Sequence, residues 1–189
     1  MSTLTLRCER LLFDASAAIS LAASRRMSEI LVSLPVKAAV VDFTRRQEMK
    51  YIWGGDEPDV RARKETIDLQ PLIDRGLLME VELTDAECET MVNIAALRLG
   101  NGESAATAVA VHRCWAVCTD DYAALPDLQQ FAPRVPFVVT SQLLQHWAIV
   151  SGATDADLRA VIRSMRLRAG FGRSGRELLA GWLQKYLEP

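Results

Sequence analysis

Two short apolar runs that each stop on an acid set the strongest limit on how this chain folds. Arg10-Leu11-Leu12-Phe13 is followed by Asp14, and Trp115-Ala116-Val117-Cys118 is followed by Thr119-Asp120-Asp121. Apolar runs this short, flanked by polar residues, read as strands rather than helices, and as strands covered on both faces. Just before the second run, Gly100-Asn101-Gly102-Glu103 opens an alanine-rich helix that extends to about Arg113. The two glycines are read as a tight turn with positive φ, and Glu103 falls in the first helical turn, where the helix dipole favours a carboxylate. Strands alternate with helices along the whole chain, which implies an α/β fold with a mainly parallel central sheet and helices on both sides. In an open sheet of that kind ligands bind beyond the carboxyl ends of the strands. Acids at strand ends are therefore placed for chemistry.

The remaining elements follow from local patterning. Ser16 is read as the cap of a short apolar helix reaching Ala23, with Arg25 and Arg26 at its carboxyl end. Residues 30–36 fit a strand or a helix equally. From Lys37 to about Trp53 a single helix is expected, with Val40, Val41, Phe43, Gln47 and Tyr51 near one face and Gly54-Gly55 as its stop. Residues 56–66 are dense in charge and read as a loop, where Arg61, Arg63 and Lys64 fit either a solvated face or phosphate contacts. A helix at 69–77 and a half-buried strand at 78–83 come next. Thr84-Asp85-Ala86-Glu87 is a capping box opening a helix to about Leu99. After the second acidic strand end, 122–130 reads as a short helix or turn, and 135–140 as a strand that Pro136 places at an edge. Three helices are expected beyond it. The one at 154–167 carries the stripe Leu158, Val161, Ile162 and Met165, and the last spans 176–187. Gly170-Phe171-Gly172-Arg173-Ser174-Gly175 matches a dinucleotide-binding glycine pattern by letters only. With no βαβ unit around it, it reads as an interhelical linker.

Half of the 189 residues are hydrophobic, enough to bury a substantial core. The expected organisation is a domain at 8–140 and a helical extension at 141–189 packed on or beside it. The apolar stretch 11–23 is interrupted by Asp14 and is too short to cross a bilayer, so a cytoplasmic protein is expected. Cys8, Cys88, Cys114 and Cys118 show no disulfide-framework spacing and read as reduced thiols. His112, Cys114 and Cys118 match no structural zinc pattern. The formal charge is −2, but residues 151–189 carry seven basic and four acidic side chains, a net +3 that leaves −5 for the rest. An acidic centre with basic flanks suits a metal site approached by a phosphate backbone, and equally an ordinary solvated surface. His112 and His146 fall within helices and are expected to be satisfied or exposed imidazoles rather than general bases.

In this order and context the motifs resemble the PIN domain, a family of metal-dependent ribonucleases that includes the toxins of many bacterial toxin–antitoxin pairs. The matching residues are Asp14 with Ser16, Gly102-Glu103 with its alanine-rich continuation, and Thr119-Asp120-Asp121, within a stretch covering roughly 8–140. The resemblance implies Asp14, Asp42, Glu103, Asp120 and Asp121 as catalytic acids, with Asp14, Glu103 and Asp121 holding metal. Ser16 and Thr119 would orient carboxylates or water. Asp42 is preferred for the acid that the family has near the start of its second helix, where Glu is more usual. Glu48 is the rival. On one continuous helix it would lie about 120° round from Asp42 and ~9 Å along, so the two cannot share the task. Carboxylates crowded at one sheet edge repel unless a cation neutralises them, and Mg²⁺ or Mn²⁺ takes oxygen ligands of this kind. The expected activity is hydrolysis of RNA phosphodiester bonds, RNA being preferred to DNA although nothing here reads a 2′-hydroxyl. Arg45, Arg46, Arg173 and Arg176 would contact the nucleic acid. An antitoxin protein and a second copy of the chain are the other expected partners, and no membrane. A module that keeps the fold without turnover is the alternative.

Overall fold

In a computed structural model the residues described are 3–54, 59, 61, 63–172 and 180–187. In chain order they form β1 (Arg10–Phe13), α1 (Ala15–Ala23), α2 (Met27–Ser33), β2 (Lys37–Val41), α3 (Asp42–Gln47), β3 (Tyr51–Trp53), β4 (Lys64–Thr66), α4 (Gln70–Asp74) and β5 (Leu78–Val81). The second half continues with α5 (Asp85–Ala95), α6 (Asn101–Arg113), β6 (Ala116–Cys118), α7 (Leu125–Phe131), β7 (Phe137–Val138), α8 (Thr140–Ser151), α9 (Asp155–Ala169) and α10 (Ala180–Leu187). Five strands make one sheet in the order β5-β2-β1-β6-β7, and every pairing in it is parallel. The α/β architecture expected from the alternation of elements is the one found. β3 and β4 form a separate antiparallel hairpin.

The apolar runs are explained by what covers them. Leu11 and Phe13 of β1 enter one core with residues of α1, α2, α8 and α9, while Leu12 enters a second core on the opposite side with Ala105, Ala106, Val109 and Ala110 of α6. Alternate residues of one strand therefore feed two hydrophobic layers, and no position in Leu11–Phe13 can be polar. Small side chains on α6 let its backbone lie close to the sheet. The helices after residue 140 share this packing. α8 lies against α2 and α9 against α1, and Leu158, Val161, Ile162 and Met165 bury the expected stripe in the same core as β1. The capping boxes at Thr84 and Thr154 are both present. Pro136 precedes β7, the edge strand, as its missing N–H requires. No helix among the described residues is long and apolar enough to cross a membrane.

Four local expectations are corrected, and one open alternative is resolved. The helix expected from Lys37 to Trp53 is instead β2, the short α3 and β3, because 38–41 are fully enclosed between β1 and β5, and tertiary pairing outweighs a helical spacing that the short run also happens to satisfy. The ambiguous stretch 30–36 is helical as far as Ser33. In the segment expected to be a loop, 64–66 is a strand. Ser16 does not cap α1: Asp14 does, accepting from the Ala17 amide at 2.8 Å. α5 stops at Ala95 rather than near Leu99. Gly170 closes α9 in a left-handed conformation, while 173–175 of the glycine pattern, Gly55 and most of 56–62 lie outside the described residues.

One ion pair locks α5 to α6. Glu87 is 2 % exposed and accepts from Arg113 at 2.7 and 2.8 Å, while its Oε2 also accepts from the Thr84 amide at 2.8 Å. The Arg113 hydrogen bonds pull the Glu87 carboxyl down to about 2 against the effect of its burial. A depressed carboxyl stabilises the fold above its unfolded range near 4.5 and loses that contribution as pH falls toward 2. Glu87→Ala removes the reciprocal half of the capping box and leaves the guanidinium only the Glu82 carbonyl, at 2.9 Å, to donate to, and is expected to cost about 3 kcal/mol in chemical denaturation at pH 7. A loss below about 0.5 kcal/mol would mean the pair behaves as a surface contact.

Candidate active site

The sheet order reverses at β1: the chain goes first to β2 on one side and only later to β6 on the other. The carboxyl ends of β1 and β6 thus flank a topological switch point, the place where open α/β sheets leave a crevice. The register aligns Phe13 with Cys118, and the Asp14 amide donates to the Cys118 carbonyl at 3.1 Å. Asp14 and Thr119-Asp120-Asp121 therefore emerge side by side.

Asp14 is 0 % exposed. Its carboxylate accepts from the Ala17 amide, from Ser16 Oγ at 2.9 Å to either oxygen, and from the Thr119 hydroxyl. Burial is the main reason its carboxyl rises from 3.8 to about 7, with the negative charges of Glu103 and Asp120 raising it further against the hydrogen bonds from Ala17 and Thr119. Ser16 Oγ also accepts from the Asp120 amide at 2.9 Å, so one hydroxyl ties the two strand ends together. Thr119 is buried and its Oγ1 accepts from the Asp121 amide at 3.1 Å. Asp120 Oδ1 accepts from the Thr140 amide in the first turn of α8, at 2.9 Å. Asp121 Oδ1 accepts from the amides of Ala123 and Ala124 at 2.9 and 3.0 Å.

The acids contributed by α3 and α6 meet through two glycines. Gly100 has φ −62°, and Gly102 is not among the positive-φ residues, so the tight turn expected there is absent. Space is the reason for both. A Cβ on Gly100 would collide with Glu103 Oε2, and one on Gly102 would collide with Glu48 Oε2. Glu103 folds back over the start of its own helix, and Glu48, just past α3, accepts from the Gly102 amide. Gly100 supplies no side-chain cap to α6, so these two carboxylates serve its orphan amide donors and its positive dipole end. Burial raises both carboxyls, Glu48 further through the charge of Glu103, and Glu103 further through that of Asp121. The structure thus joins Glu48, not Asp42, to Glu103. Asp42 opens α3, half-buried, six residues earlier. A glycine at the second position of a helix was the available signal, since such a glycine leaves room for a side chain from elsewhere.

The expected nucleic-acid contacts fare differently. Arg45 is held by Glu80 at 2.7 Å and Gln70 at 2.9 Å, while Arg46 is 65 % exposed and 3.8 Å from Glu80. Arg173 and Arg176 lie outside the described residues. His112 hydrogen-bonds Thr90, and His146 accepts from the Leu4 amide and bonds the Ser33 carbonyl, so both imidazoles are occupied. Among the described residues no three His, Cys, Asp or Glu side chains form a group that could hold a metal ion. The donors assembled pairwise are all carboxylate and hydroxyl oxygens, which is the chemistry a hard divalent cation takes. The atoms nearest to a Cβ at Gly100 or Gly102 belong to the carboxylates of Glu103 and Glu48. No protein-family model matches the chain, and neither does any curated protein or solved structure.

Two measurements follow from this geometry. A carboxyl raised in the folded state stabilises below its unfolded value and ceases to do so as pH climbs through its folded one. Metal-free protein should therefore lose up to about 4 kcal/mol between pH 4 and 8 through Asp14, and Asp14→Asn should flatten that slope in denaturant titrations. Gly102→Ala should leave the melting temperature equal or higher, because alanine favours helix by about 1 kcal/mol, while displacing the Glu48 carboxylate. A crystal structure of the variant with Glu48 unmoved would refute the spacing argument.

Proposed function

We propose that this chain is a divalent-metal-dependent nuclease of the PIN kind, hydrolysing RNA phosphodiester bonds at the acidic crevice. One observation carries the reading: Asp14, Glu48 and Glu103, from separate elements, are buried or half-buried at one crevice, and beyond the effect of burial Asp14 is pushed toward protonation by Glu103 and Asp120, Glu48 by Glu103, and Glu103 by Asp121. Such mutual repulsion is what a bound cation relieves. Asp14, Glu103 and Asp121 do not form a ready-made ligand group, and on this reading they are the residues that would close on Mg²⁺ or Mn²⁺ when it binds, with Glu48 in the fourth acidic place that the resemblance had assigned to Asp42. When bound, the ion supplies a Lewis acid for the phosphate oxygens and neutralises the carboxylates. Ser16 and Thr119 keep Asp14 fixed in orientation. Glu103, whose carboxyl burial raises above its ordinary value, would serve as a ligand or as the base that takes a proton from the attacking water as the water oxygen bonds to phosphorus and the ester P–O bond breaks, the departing alkoxide taking a proton from solvent.

A second reading is favoured by a different observation. Asp120 and Asp121 already cap α8 and the turn after β6, so one oxygen of each has structural employment without any metal. On that reading the protein binds nucleic acid and does not cut it. Incubation of labelled RNA with Mn²⁺ separates the two. Wild-type protein is expected to cleave, and Asp14→Asn, Glu103→Gln and Glu48→Gln each to slow cleavage by about 100-fold or more. Asp42→Asn should stay within about threefold of wild type. Intact RNA after exposure to Mn²⁺-loaded wild type selects the binding module, and a larger effect at Asp42 than at Glu48 reverses the assignment.

A further inference from the structure

The β3–β4 hairpin has two faces, set by its register. Tyr51 pairs with Thr66, Ile52 with Glu65 and Trp53 with Lys64. Ile52 is buried in the main core, and Glu65 reaches Arg168 of α9 at 2.6 Å, so this face is fastened to the body of the protein. Alternation along each strand turns Tyr51, Trp53, Lys64 and Thr66 to the other face. There Tyr51 is 41 % exposed and meets Trp53 edge to face, with ring centroids 5.7 Å apart and planes at 72°. The Lys64 ammonium sits 4.0 Å from the Tyr51 ring centre and 6.0 Å from that of Trp53. Lys50 and Arg63 are exposed too, but the same alternation puts them with Ile52 and Glu65, and Arg63 donates to the Gly54 carbonyl at 3.1 Å. The acid of the hairpin strands, Glu65, is on the fastened face.

Cross-strand pairing of aromatics and cations also helps a hairpin this short to hold together. Two further features go beyond that need. The outer face carries π surface and positive charge with its acid turned away, and it begins immediately after Glu48, whose carbonyl accepts from the Lys50 amide at 3.0 Å. Tyr51 lies three positions after Glu48, a reach of at most about 11 Å. We infer that the outer face of the hairpin is a stacking platform for single-stranded nucleic acid, holding unpaired bases on Tyr51 and Trp53 and a backbone phosphate on Lys64 beside the acidic crevice. Every base has a π-face, so such a platform tolerates sequence, and a duplex, whose base faces are hidden, does not fit it. In naming this ligand as the substrate the inference rests on the nuclease reading. Binding itself is measured apart from cleavage.

The test is fluorescence anisotropy of a labelled oligoribonucleotide of about ten residues, single-stranded or annealed to its complement, with full-length protein in EDTA so that nothing is cut. Wild type should bind the single strand more tightly than the duplex. Tyr51→Leu should weaken single-strand binding by about fivefold or more, while Tyr51→Phe stays within about twofold, each at unchanged melting temperature. Lys64→Gln should lower the slope of log affinity against log salt by about 0.7. Equal affinity for strand and duplex, no binding, or an affinity indifferent to Tyr51→Leu overturns the platform. Cleavage is assayed in parallel with Mn²⁺. Binding that obeys these variants without cleavage keeps the platform and removes the nuclease, whereas cleavage with binding unmoved by Tyr51→Leu does the reverse.

Discussion

Everything at the acidic crevice depends on β1 being enclosed on both faces and along both edges. It pairs with β2 on one side and β6 on the other, and its residues feed opposite cores alternately. A strand so placed has no freedom to shift register, because a slip of one residue would exchange its two sets of side chains. The position of Asp14 is thereby inherited from hydrophobic packing rather than from any contact of its own. The hydrogen bonds of Asp14 to Ala17, Ser16 and Thr119 then set orientation, not location. The cost of burying this carboxyl is imposed by apolar burial elsewhere, which is large enough to bear it.

The second contribution is vacant volume. The amino end of α6 gathers two carboxylates because two side chains are missing there, and this gives a glycine a role unrelated to backbone freedom. Helix geometry supplies the attraction, since unsatisfied amides and the dipole draw negative charge to that end. Burial and neighbouring acids supply the opposing push. The site is a balance between a helix end that favours anions and anions that do not favour one another. A cation would shift that balance without any change of fold.

Much of this was legible beforehand. The strand ends at Asp14 and Thr119-Asp120-Asp121, the helix opened by Glu103, the parallel sheet and the stripe on α9 all follow from period and punctuation, because each lies where local pattern and tertiary environment agree. The failures cluster at 37–66. Val40 and Val41 sit at spacings that suit a helix as well as a strand, and only enclosure between β1 and β5 decides. Reading a continuous helix there hid the approach of Glu48 to Gly102 and the alternation of Tyr51, Ile52 and Trp53. Gly54 was read as a helix stop. Its actual neighbour is the Glu65 Cβ across the hairpin, which an added Cβ would approach to 2.9 Å. Contacts between residues distant in sequence leave no periodic trace, so these were beyond local reasoning.

The Arg168–Glu65 pair gives the last third of the chain a mechanical meaning. Arg168 is 4 % exposed, and its Nη2 binds a carboxylate on the hairpin while its stem belongs to α9. α9 also lies along α1, directly behind the strand that ends in Asp14. The terminal helices thus act as a brace spanning from the hairpin to the central strand. Shortening the chain ahead of α9 would do more than trim a tail: it would leave Glu65 without its counter-ion, wet the back of Ile52 and free the hairpin from the helix that now fastens it.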